Sequence, residues 1–143
     1  MKKLLIWLTM ITWMAILTGC NKGPSEPYVI ENPTDNFQEY SDLWLETALA
    51  NNDNVVVYFW ASRCPGCMAL KDDIIANSDM IPDGTTILAA DFDNSVALKE
   101  KYDVTKKHTT VYIKPDGEVA VKNSNKEYTL EDILAGVEEI NNG

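Results

Sequence analysis

Hydrophobic and polar positions divide the chain into a short apolar leader, a polar stretch and a series of alternating periodic segments. From Leu4 to Leu17 the sequence is uncharged with an apolar majority, and Lys2 and Lys3 precede it. At about 14 residues this stretch is shorter than the ~20 that a spanning helix needs, and it has the length of a secretory signal's apolar core. Residues 21–36 follow with three prolines, one glycine and several polar side chains, which reads as a flexible tether. From Phe37 to Leu49 apolar residues recur at Phe37, Tyr40, Leu43, Trp44, Ala48 and Leu49, a helical spacing that Asn51-Asn52-Asp53-Asn54 stops. Val55 to Trp60 is an unbroken β-branched and aromatic run, the pattern of a strand covered on both faces.

Beyond that strand, Cys64 to Asn77 reads as a helix with Met68, Leu70, Ile74 and Ile75 on its apolar side. Thr85 to Phe92 is a second buried strand, and Ser95 to Tyr102 a short helix that Asp93 or Asn94 is placed to cap. Thr109 to Ile113 is a third strand, and Pro115-Asp116-Gly117 supplies a turn into Glu118–Val121. A last helix opens at Thr129, with Leu130, Ile133, Leu134, Val137 and Ile140 on one face and Thr129 with Asp132 as a weakened capping box. The predicted order is α, β, α, β, α, β, β, α. Strands that alternate with helices and close in a hairpin make an α/β fold, a mixed sheet sandwiched between helices.

Leu17-Thr18-Gly19-Cys20 ends the leader and resembles the bacterial lipobox: an apolar residue, two small ones and a cysteine. The resemblance implies cleavage after residue 19 and lipidation, including a palmitate-type acyl chain, on the Cys20 thiol. The expected organisation is a lipoprotein signal peptide over 1–19, a tether over 20–36 and one domain over 37–143. An uncleaved membrane anchor is the competing reading. Either way the domain is expected on the extracytoplasmic face of a bacterial membrane, in the cell envelope. Charge sharpens this picture. The chain carries 22 acidic and 12 basic residues, net −10, and loss of the leader with Lys2 and Lys3 leaves net −12. Such a surface repels phosphate backbones and anionic headgroups, so no nucleic-acid partner is expected and membrane attachment falls to the anchor.

With Cys20 so explained, Cys64 and Cys67 remain, separated by Pro65-Gly66 at the junction of the strongest strand and a helix. Two intervening residues let the sulfurs reach bonding distance across the first helical turn. Free N–H groups and the helix dipole favour a thiolate at the first cysteine, and Pro65 fits a position whose N–H has no intrahelical acceptor. An exposed, activated first thiol and a protected second one are expected, the arrangement that thiol–disulfide exchange requires.

Tyr58-Phe59-Trp60-Ala61-Ser62-Arg63-Cys64-Pro65-Gly66-Cys67 resembles the strand and active-site loop of thioredoxins. Asp91-Phe92-Asp93, Tyr102-Asp103-Val104-Thr105, and Thr109 to Ile113 with Asp116-Gly117-Glu118 are similar to later parts of that family, so the resemblance spans residues 37–140. It implies a thioredoxin-like fold, Cys64 and Cys67 as a redox-active disulfide with catalytic roles, protein thiols and disulfides as substrates, and a membrane redox partner. No cofactor is implied, because the dithiol carries the electrons. Four departures mark candidate modulators. Arg63 stands where the family has Trp before the first cysteine, and the dipeptide is Pro-Gly where Gly-Pro is usual. Tyr58 replaces a buried acid that accepts a proton. His108 occupies the place of the cis-proline, with the Lys107–His108 bond expected to be trans. Trp60 is expected to pack beneath the loop.

The expected function is therefore membrane-anchored, extracytoplasmic thiol–disulfide oxidoreduction through Cys64 and Cys67. A purely structural disulfide is disfavoured, since closing so short a loop gains little chain entropy. The alternative from another class is a non-enzymatic metal-binding lipoprotein, copper-chaperone-like, using Cys64, Cys67 and His108 as soft ligands. His108 is equally open to a reading as a surface loop residue beside Lys106 and Lys107. Asp72-Asp73 and Glu138-Glu139 read as solvated helix faces.

Overall fold

In the computed structural model, residues 33–125 and 127–143 are described; the expected signal peptide, Cys20 and most of the tether lie outside them. The elements run β1 (Phe37–Glu39), α1 (Asp42–Ala50), β2 (Asn54–Trp60), α2 (Pro65–Ala76), a 3-10 turn (Ser78–Met80), β3 (Thr85–Asp91), α3 (Val96–Lys101), β4 (Thr109–Ile113), β5 (Val119–Ser124) and α4 (Leu130–Asn142). One sheet has the order β1-β3-β2-β4-β5. β1 and β2 run parallel to β3, while β4 is antiparallel to both β2 and β5. Among the described residues no helix is long and apolar enough to cross a membrane.

β2 lies at the centre of this sheet and every one of its residues is buried. Its side chains alternate between two cores. Val56, Tyr58 and Trp60 join Leu70, Ile74, Tyr112, Ile133 and Val137 beneath α2 and α4. Val55, Val57 and Phe59 join Leu45, Ala48, Leu98, Val111 and Ile113 on the opposite face, beneath α1 and α3. Pleating sends successive side chains to opposite faces, so helices on both sides require the continuous apolar run that β2 displays. The predicted mixed sheet between helices is the fold observed.

Four local expectations need correction. Phe37–Glu39 is not the start of a helix but an edge strand, registered Phe37↔Ile87 and Glu39↔Ala89. Phe37 and Tyr40 match a helical i, i+3 spacing by coincidence, and three residues carry too little pattern to reveal a strand. α1 starts only after Ser41, whose side chain accepts the Trp44 N–H. The shorter helix turns Leu45 and Ala48 inward and leaves Leu43 and Trp44 exposed. Neither Asp93 nor Asn94 caps α3; Ser95 holds that position without a side-chain bond. The Asp91 carboxylate instead accepts the Asp93 N–H and the Asn94 amide, organising the turn from β3. β5 runs to Ser124, past the expected Val121, and the hairpin turns through Gly117 at φ +86°. Finally, Asp73 does not face solvent alone: its carboxylate accepts the Leu130 N–H at 2.7 Å and so ties α2 to the head of α4.

Backbone bonds to the sheet also reach ahead of residue 37. Thr34 exchanges backbone hydrogen bonds with Phe37, and the Asn36 carbonyl accepts the Ile87 N–H. At the other end the capping box of Thr129 and Asp132 is complete, each side chain accepting the other residue's N–H.

Candidate functional site

Everything chemical gathers where the parallel strands end. β2 finishes at Trp60, the chain turns through Ala61–Arg63, and Cys64 caps α2 with extended backbone angles of φ −128° and ψ 99°. Its Sγ accepts the Cys67 N–H at 3.3 Å, so the sulfur itself satisfies one of the free donors at the helix start. Pro65 at the first helical turn leaves no donor unpaired there. Cys64 and Cys67 form a disulfide with Cα atoms 5.2 Å apart.

The sequence places an exposed thiol at Cys64; the structure does not. Cys64 is only 3% exposed and Cys67 0%. The cover over Cys64 includes His108, whose Nε2 lies 2.7 Å from Cys64 Sγ and whose Nδ1 lies 3.5 Å from Cys67 Sγ. No peptide bond among the described residues is cis, so Lys107–His108 is trans. His108 takes φ +64°, a left-handed conformation uncommon for a side-chain-bearing residue. Two bonds hold it there. Its N–H donates to the Phe59 carbonyl at 2.9 Å, and the Thr109 hydroxyl closes the preceding turn onto the Lys106 carbonyl. The half-buried imidazole is thereby placed on the sulfurs and not out in solvent as a loop residue.

Tyr58 lies beneath the pair, 1% exposed, and its hydroxyl donates to the Cys67 carbonyl at 3.1 Å. Burial pushes its phenol well above the ordinary value of 10, so the group is a neutral donor. It fixes the first turn of α2 but is unsuited to take a proton from Cys67. The His108 imidazole is the polar side chain in contact with both sulfurs. Trp60, 2% exposed, packs in the core beneath the loop, and Arg63 is exposed on the rim directly before Cys64. A cleft of about 500 Å³ opens beside His108, lined also by Phe92, Asp93, Thr105, Lys106 and Ser124.

Two contributors carry no signature in the sequence. Asp73 reads as a surface acid and Asp91 as one more strand residue; a long-range bond to Leu130 and local bonds to Asp93 and Asn94 show that they fix α2 and the end of β3, the elements that bear the site. The left-handed backbone at His108 is equally silent, because glycine or asparagine would be the usual signal for it.

Several solved structures share this architecture. Trxlp from Edwardsiella tarda EIB202 is 19% identical, with a TM-score of 0.58 over 71% of this chain and 96% of its own. Chloroplastic thioredoxin z is 20% identical, with a TM-score of 0.61 over 76% and 96%. The N21Q mutant thioredoxin from Halobacterium salinarum NRC-1 is 23% identical, with a TM-score of 0.59 over 76% and 92%. At these identities the likeness is one of fold. A comparison of the sequence with curated proteins returns no match. Residues 36–139 match the family model described as Thioredoxin. A thioredoxin fold with a Cys64–Cys67 pair at the head of α2 supports thiol–disulfide oxidoreductase activity, and the chain belongs to the thioredoxin family.

Proposed function

We propose that the protein is an extracytoplasmic oxidoreductase, anchored through lipid on Cys20, that exchanges disulfides with protein substrates through Cys64 and Cys67. The observation that carries the catalytic assignment is Cys64 at the N-cap of α2, its Sγ facing the Cys67 N–H. There the free N–H groups and helix dipole favour the thiolate that attacks. In the reducing direction, Cys64 thiolate attacks one sulfur of a substrate disulfide. That S–S bond breaks, the other substrate sulfur leaves as a thiolate, and a mixed disulfide forms. Cys67 thiolate then attacks Cys64 Sγ, the substrate's second sulfur leaves, and the Cys64–Cys67 disulfide remains. Two electrons have passed to the substrate, and the reverse sequence oxidises it. A membrane redox partner restores the starting state.

The His108 ring adds two roles. It accepts or returns the proton of the adjacent sulfur, and it must swing aside for a substrate sulfur to approach Cys64 in line. The cleft beside it offers room for a substrate segment.

Cys67→Ser in metal-free protein is expected to accumulate mixed disulfides through Cys64, seen on non-reducing gels, while Cys64→Ser accumulates none. Equal trapping by both variants removes the assignment of Cys64 as the attacker. In cells that export the protein, Cys20→Ala is expected to lose acylation and leave the membrane fraction; full retention would dismiss the lipid anchor. The reduction potential sets direction: near ~−270 mV the protein reduces its substrates, and near ~−120 mV it oxidises them.

A further inference from the structure

We infer that the reduced protein holds a zinc ion between Cys64 Sγ, Cys67 Sγ and the His108 imidazole, in a site that disulfide formation abolishes. The ligand atoms of these three residues all lie within 4.8 Å of one another. The chain's single histidine is the third of them. A zinc ion with bonds of about 2.3 Å to sulfur and about 2.0–2.1 Å to nitrogen spans ligand–ligand edges of roughly 3.5–3.8 Å in tetrahedral geometry. In the disulfide form, His108 Nδ1 is already 3.5 Å from Cys67 Sγ and 3.7 Å from Cys64 Sγ. Only the bonded sulfur pair and the 2.7 Å approach of Nε2 to Cys64 Sγ are shorter than those edges. Breaking the S–S bond removes the first constraint and frees Cys64 Sγ to relax the second.

Hydrogen bonds hold the backbone that carries all three ligands. Cys64 and Cys67 ride the first turn of α2, which the Tyr58 hydroxyl pins through the Cys67 carbonyl. His108 is fixed to β2 through the Phe59 carbonyl and is held in a left-handed conformation that places its ring over both sulfurs. Such outer bonds orient metal ligands. The charge also balances: two thiolates and a neutral imidazole around Zn²⁺ sum to zero, whereas a monovalent ion would leave a net negative charge among buried sulfurs. Three protein ligands leave a fourth position for water or an added ligand.

The chemistry balances without any change at the metal. An external dithiol supplies two electrons and two protons to the Cys64–Cys67 bond, giving two thiols and a disulfide of the reductant. Zn²⁺ then displaces both thiol protons to solvent. While it is bound, neither sulfur is free to attack, so the ion and a substrate disulfide compete for one site.

The inference rests on ligand geometry and not on the exchange reading, and the mixed-disulfide trap uses metal-free protein, so the two fail separately. Reduced protein, freed of reductant without oxygen, is titrated with Zn²⁺ against a chromophoric chelator, and with Co²⁺ to read sulfur-to-metal charge-transfer absorbance. One equivalent is expected to bind reduced wild type and none the disulfide form. His108→Ala is expected to weaken Zn²⁺ binding by at least about tenfold. His108→Asn keeps a residue that tolerates the left-handed backbone and is expected to weaken it likewise, which separates ligation from folding. Bound Zn²⁺ should also protect Cys64 from alkylation. Equal affinity of wild type and both variants, or equal uptake by the oxidised protein, overturns the site.

Discussion

At His108 one residue combines a strained backbone with a ring packed on both sulfurs. A left-handed conformation costs a residue with a Cβ about 1–2 kcal/mol, and it persists here because the Phe59 carbonyl and the Lys106–Thr109 turn hold it. His108→Gly removes ring and strain together. It is expected to leave stability within about 1 kcal/mol of wild type while reduced Cys64 alkylates several-fold faster. His108→Pro restores the residue type usual in the family, yet it forces φ to about −65° and deletes the N–H that Phe59 accepts. A loss of about 2–3 kcal/mol is expected in urea unfolding, so proline does not drop into this loop as it stands. A proline variant as stable as wild type would show that the loop re-forms freely. Position 108 was legible only through the resemblance to thioredoxins. Neither the backbone conformation nor the burial of Cys64 was, because the first depends on a bond to Phe59 and the second on the cover of His108, both contacts between distant parts of the chain.

Elements that pack along their full length are the ones that periodicity reveals. β4 occupies the predicted residues because its apolar run is covered on both faces. α4 shows its face and its cap in the sequence because a long amphipathic stripe repeats the signal over 13 residues. β1 was missed, since three edge residues repeat nothing. The apparent stripe of α1 is rotated for a related reason, since Phe37 from β1 and Tyr40 from the link after it enter its pattern. Where α4 meets the sheet, Gly136 lets the helix close on Tyr112: a Cβ built there would fall 2.7 Å from the Tyr112 hydroxyl and 2.8 Å from two ring carbons. Gly136→Ala therefore sets a helix-propensity gain of about 1 kcal/mol against overpacking of about 1–3 kcal/mol. The clash faces a ring that is itself buried in the core, so net destabilisation is expected in denaturant titration. A stabilised alanine variant would refute this close approach of α4.

For the molecule as a whole, buried phenols set an alkaline limit. Burial raises Tyr58 above its ordinary value of 10 and pushes Tyr112 up to about 12. The sign follows from the proton each folded phenol retains. Below about pH 10 both states hold it and the folded state's advantage is complete. Above that the unfolded chain releases it first, and stability falls as pH climbs toward 12 and beyond. The urea midpoint is expected to drop steeply from about pH 10 to 11.5, and less steeply in Tyr58→Phe and Tyr112→Phe. Unchanged slopes in both variants would assign the drop to the general repulsion of an acidic surface.

The parallel pairing of β1 with β3 also gives the domain a front and a back. Chain coming from residue 33 enters beside Ile87, whereas β3 ends four residues on, at Asp91, paired with Trp60 at the dithiol end of the sheet. At ~3.3 Å per strand residue that is about 13 Å of separation along the strand axis. The turn at Asp35-Asn36 folds Thr34 back onto Phe37, so the chain just ahead of it runs against β1 and not on past its end. A pull on the chain ahead of Thr34 would therefore load the edge strand β1 and its pairing with β3 before it reached the dithiol loop.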